Sequence, residues 1–155
     1  MTPETKAYGQ FSSTLTQRPI SLMPLKVVLD THQDTSGNEI SIDFTKDCIL
    51  IGKTAEYLII SGAQVSKLGG NKPRWIDFWI RVNGKDLENS NVRATIRDPH
   101  ITDVVVTQAV TRLYKGDILN IMMAVEAPDE GVGIEAIKPQ NEPLIPSLIL
   151  TVLQL

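Results

Sequence analysis

Few side chains in this sequence belong to types that do chemistry, and their spacing brings few of them together. Histidine occurs twice, at His32 and His100. A histidine-based metal centre needs about three imidazoles plus a carboxylate on one ion, so two are too few. His100 follows Asp98-Pro99 and reads as a turn residue. Cys48 is the single cysteine, which excludes an intrachain disulfide framework and a Cys-rich zinc site. Its neighbours Ile49, Leu50 and Ile51 mark it as a small buried hydrophobe. As a nucleophile it would need a base from elsewhere in the chain. Glu126, Asp129, Glu130 and Glu135 form an acidic loop region. Calcium takes such oxygen ligands, but the spacing matches no calcium-loop pattern, and a solvated loop is the simpler expectation. No Gly-x-Ser-x-Gly elbow and no Gly-x-x-x-x-Gly-Lys-Ser/Thr loop occurs. Gly69-Gly70-Asn71-Lys72 would need a following helix to cradle a phosphate, and Gly131-Val132-Gly133 reads as a turn. Trp75 and Trp79 share one strand parity with Asp77 and Arg81. That face could stack on a sugar or a partner, or form a second core face. The expectation is therefore no catalytic residue, no cofactor and no metal: not an enzyme.

The elements that must position these residues belong to one domain, since 155 residues fit one better than two. Hydrophobic residues make up 42% and charged residues 21%, an ordinary soluble composition. The net charge of −3 lacks the basic excess of a general nucleic-acid binder. The first residues carry no apolar core of a signal peptide. The most apolar stretch, Pro143 to Leu155, is too short to span a bilayer as a helix. The expectation is a soluble chain without membrane insertion. It would stay in the cytoplasm or reach a surface by assembly.

The hydrophobic period is mostly two. Ile40 to Phe44 alternates as a half-buried strand does. In Trp75 to Val82, Ile76, Phe78, Ile80 and Val82 share one face. Asn83-Gly84 follows at once and signals a type I′ hairpin turn, with the return strand inside Lys85 to Arg97. Leu58 to Val65, Asp103 to Tyr114, Ile118 to Val125, a short stretch at Ile134 to Ile137, and Leu148 to Leu155 read as strands. Gly9 to Leu15 and Leu25 to Leu29 are weaker ones. Lys115-Gly116-Asp117 is a tight turn, in which Gly116 permits a left-handed backbone and Asp117 can accept backbone N–H bonds. No window sustains a capped helical stripe. Eight to ten short strands between turn signals predict an all-β sandwich or barrel. Residues 1–24 are polar and proline-bearing, and read as a loosely held arm with one early strand ahead of a domain over 25–155. The closing strand is apolar on both faces: Leu148, Leu150 and Val152 against Ile149, Leu153 and Leu155. Either a loop covers the second face or a neighbouring subunit does.

From about Ile40 onward, the order of features resembles the tumour necrosis factor and complement-type globular-head superfamily. The matching pieces are the apolar strand with Tyr57, the strand-turn Val82-Asn83-Gly84, the stretch Leu113-Tyr-Lys-Gly-Asp-Ile-Leu119, and the closing apolar strand. Departures are Ala55 where the family often has glycine, the absence of Phe-x-Gly in the closing strand, and only 5% aromatic residues. The resemblance implies a ten-stranded jelly-roll β-sandwich of tumour-necrosis-factor-like topology, assembling as a homotrimer. It places Val106, Gln108 and Val110, with Ile149 and Leu153, against the neighbouring subunit. The function it implies is a non-enzymatic trimeric head, recognising a protein or glycan multivalently. A phage, virion or spore surface component with the same fold is the alternative. A jelly-roll metal enzyme or hydrolase is a more distant one.

Overall fold

A computed structural model of the chain describes residues 3–155. In chain order the strands are β1 (Tyr8–Ser13), β2 (Leu25–Lys26), β3 (Thr31–Thr35), β4 (Ile40–Asp43), β5 (Cys48–Ile51), β6 (Ala55–Ser66), β7 (Arg74–Val82), β8 (Lys85–Asp86), β9 (Val92–Ile96), β10 (Asp103–Leu113), β11 (Ile118–Val125), β12 (Gly133–Ile134) and β13 (Leu148–Gln154). Three of the thirteen (β2, β8, β12) are two-residue pairings, which leaves ten longer strands among the described residues. The first sheet has the order β10-β6-β13-β1-β3, with β12 also on β6. The second runs β4-β5-β11-β7-β8, with β2 on β11 and β9 on β7. Each sheet therefore holds five of the ten longer strands. This is one of the two all-β architectures that the strand pattern left open, a two-sheet sandwich, and it is the ten-strand jelly roll that the resemblance implies.

Alternation drives the packing. On β7, Ile76, Phe78 and Ile80 are at most 1% exposed and face the first sheet's Tyr57, Ile59, Leu148, Leu150 and Val152, all at 0%. Each such aliphatic or aromatic side chain contributes about 1.5–3 kcal/mol through burial. Tyr57 keeps its hydroxyl satisfied inside by donating to the Lys53 carbonyl at 2.6 Å.

Several boundaries differ from the sequence reading, each for a local reason. The return strand after Gly84 breaks into β8 and β9. Ser90 interrupts it: its Oγ accepts from the Ile80 N–H at 3.0 Å and donates to the Leu87 carbonyl at 2.7 Å. Two strands carry no sequence signal that announces them: β3 is polar, and β5 is only four residues long. Residues 8–13 are not loosely held. β1 is bonded between β13 and β3, and Phe11 is fully buried. The stretch beyond β1 is pinned by side chains. Gln17 Nε2 donates to Ser13 Oγ and to the Val28 carbonyl, both at 2.9 Å, while its Oε1 accepts from the Val28 N–H at 2.9 Å. Ser147 Oγ donates to the Leu15 carbonyl at 2.6 Å.

Candidate interaction face

The outer face of the first sheet is built by strand parity. On β10 the inward residues Val105 and Thr107 are 8% and 1% exposed, whereas the outward Val106 and Val110 are 52% and 63% exposed. On β13 the inward Leu148, Leu150 and Val152 are fully buried, and the outward Ile149 and Leu153 stand at 38% and 39%. The register sets these side chains in rows. Val110 lies opposite Leu58, which lies opposite Leu153, which lies opposite Tyr8. The next row is Gln108, Ile60, Thr151 and Gln10. The row after it is Val106, Gly62, Ile149 and Ser12. The five residues predicted to meet a neighbour thus share one face, in adjacent rows of four strands. No segment of the described chain covers them: Val106, Gln108, Val110, Ile149 and Leu153 are all exposed. Gly62 sits mid-row with open space where a Cβ would be, which leaves a dimple between Val106 and Ile149. At the rim, Arg112 pairs with Glu56 at 3.1 Å.

The two turns meet at one end of the sandwich. Asn83 and Gly84 have φ of 51° and 76°, the left-handed pair of a type I′ turn closing β7 onto β8. Gly116 has φ of 96°. Asp117 Oδ2 accepts the Tyr114 N–H at 2.8 Å, and its Oδ1 accepts from Asn83 Nδ2 at 2.8 Å. Asn83 Oδ1 in turn accepts the Ile118 N–H at 2.8 Å. The turns are therefore clamped to each other by side chains as well as by the strands between them.

The outer face of the second sheet carries side-chain pairs around β7. Arg93 lies 4.1 Å from the Trp75 ring centroid and binds Asp77 through two hydrogen bonds at 2.8 and 2.9 Å. Trp79 Nε1 and Arg81 Nε both donate to Asp86 Oδ1, at 2.7 and 2.8 Å. Hydrogen bonds from Arg81 and then Trp79 hold the Asp86 carboxyl below the usual range. Met122, opposite Trp79 on β11, is 3% exposed. This face combines half-buried aromatic rings with an internal charge network.

The other candidate groups are dispersed. Arg74 pairs with Glu130 and, at 3.8 Å, with Glu126; Arg18 stands 3.8 Å from Glu135. The acidic loop residues are thus largely matched by arginines. Cys48 is buried, and desolvation pushes its thiol pKa up. His32 packs its ring 6.1 Å from that of Phe44, and His100 is exposed in its turn. Among the described residues, no three His, Cys, Asp or Glu side chains are grouped to hold a metal ion. No helix of these residues is long and apolar enough to cross a membrane. Sequence reasoning missed the contribution of β6 and β1 to the outer face. Leu58 and Ile60 alternate with Tyr57 and Ile59 in an unbroken apolar run, which carries no parity signal.

No protein-family model matches the sequence, and no curated protein matches it. Among solved structures, the crystal structure of murine APRIL at pH 5.0 matches with a TM-score of 0.61. The match covers 97% of this chain and 100% of that one at 11% sequence identity. APRIL is a jelly roll of the tumour necrosis factor family. At that identity the likeness shows the fold: this chain has a diverged tumour-necrosis-factor-like jelly roll.

Proposed function

We propose that the protein is a non-enzymatic trimeric head that binds a protein partner multivalently. One observation carries the reading: the uncovered apolar face formed by Val106, Val110, Ile149 and Leu153, with Gln108, Leu58 and Ile60 among them. Large contiguous apolar patches on soluble proteins mark interaction sites. The shared fold supports threefold packing of this face over other ways of covering it. Three copies of one loop surface then raise avidity without new contacts. A protein partner is favoured over a glycan because the stacking surface on Trp75 already holds Arg93.

Light scattering after size exclusion tests the assembly. A mass of three times 17.1 kDa is expected. A stable monomer at micromolar concentration overturns the trimeric reading.

A further inference from the structure

The clamp between the two turns includes an asparagine that is followed by glycine, Asn83-Gly84. An asparagine amide followed by glycine is open to attack by the next backbone nitrogen, because glycine has no Cβ to hinder the approach. Asn83 and Gly84 are both exposed, and among the described residues the Gly84 N–H makes no hydrogen bond. The attack requires the Asn83 amide to swing onto Gly84. In the folded chain both ends of that amide are engaged elsewhere. Nδ2 is held on Asp117 Oδ1 and Oδ1 on the Ile118 N–H, each at 2.8 Å.

We propose that Asn83 is a spontaneous deamidation site, kept closed by Asp117 and the Ile118 N–H, and that its conversion opens the two-turn clamp. The Gly84 nitrogen forms a bond to Asn83 Cγ while the Cγ–Nδ2 bond breaks. The proton of the Gly84 N–H leaves with Nδ2 as ammonia. Water then opens the cyclic imide at either carbonyl and yields aspartate or isoaspartate at position 83. No electrons are transferred. The aspartate product sets a carboxylate against Asp117 where a donor had been, which turns a hydrogen bond into a like-charge contact. The isoaspartate product lengthens the backbone inside a two-residue turn whose φ angles fix the hairpin register. The consequence does not depend on the oligomeric state.

The test uses the full chain at neutral pH and physiological temperature, folded and in urea. Conversion at Asn83 is followed by peptide mass and isoaspartate content. Folded wild type is expected to convert more slowly than the unfolded chain. Folded Asp117→Ala should convert about tenfold faster than folded wild type, the factor that one lost hydrogen bond allows. Equal rates in folded and unfolded wild type, or in folded wild type and folded Asp117→Ala, overturn the protected site. If Asp117→Ala does not fold, a second pair decides the opening of the clamp. Asn83→Asp should lower the melting temperature, and adding Asp117→Asn should restore it. An unchanged melting temperature in Asn83→Asp overturns the opening.

Discussion

Arg74 shows how single residues hold this molecule's loops. It starts β7 and reaches Glu130 in the loop after β11, whose backbone carbonyl accepts the Leu68 and Gly69 N–H groups at 2.9 and 3.1 Å. One glutamate thus ties the connection between β6 and β7 to the connection that leads to β12. The hydrogen bond from Arg74 holds the Glu130 carboxyl below its ordinary 4.5, against the opposing effect of desolvation. A carboxyl with a lower pKa in the folded state stabilises the fold fully at neutral pH. That contribution falls away as the pH drops from about 4.5 through the folded value. Glu130→Gln should therefore lower the melting temperature at neutral pH. The gap to wild type should shrink in more acidic buffer, and thermal melts across that range measure it. A gap that is the same at neutral and acidic pH would count against this ion pair as the source.

At the scale of elements, β1 is bonded into the first sheet between β13 and β3. Phe11 is fully buried between the sheets, and β1 pairs with β13 over six residues. Truncating a buried phenylalanine costs about 3–5 kcal/mol, a large share of a small domain's stability. Phe11→Ala should lower the urea midpoint accordingly. A midpoint within experimental error of wild type would return residues 8–13 to a peripheral arm. The sequence hid this because Tyr8–Ser13 offers only Phe11 as a large inward side chain, between glycine and serines. β3 was hidden by its position, since an edge strand with a solvated outer side leaves no apolar period in Thr31–Thr35. Long strands with one buried face were legible. β7 sits where alternation predicts and β10 where its valine-rich run does, whereas the outward side chains of β10 and β13 were assigned by the resemblance, since neither strand alternates. The matching row on β6 was not legible, because Tyr57 to Ile60 is apolar at every position. Nor was the Gln17–Ser13–Ser147 network, whose members meet only through tertiary packing.

At the scale of the whole molecule, the two outer faces end differently. Around β7 the second sheet's face is crossed by Arg93–Asp77 and by Asp86 with Trp79 and Arg81, while Leu25 and Leu50 at its other strands stand singly exposed. The first sheet's face remains bare and apolar. Leu153 distinguishes a face that stays bare from one that is covered by other copies. At 39% exposure in the single chain, an aspartate there keeps much of its water, so Leu153→Asp should still fold. In a closed assembly the same charge would be buried without a partner, at a cost of several kcal/mol. Association also makes thermal stability depend on protein concentration, because only the folded chain assembles. Wild type should melt at higher temperature as its concentration rises. Leu153→Asp should melt at one temperature regardless of concentration and elute at the 17.1 kDa of a single chain. If the variant keeps the wild-type concentration dependence, the subunits meet through another surface. The apolar rows on β10, β6 and β13 would then need a different partner to cover them.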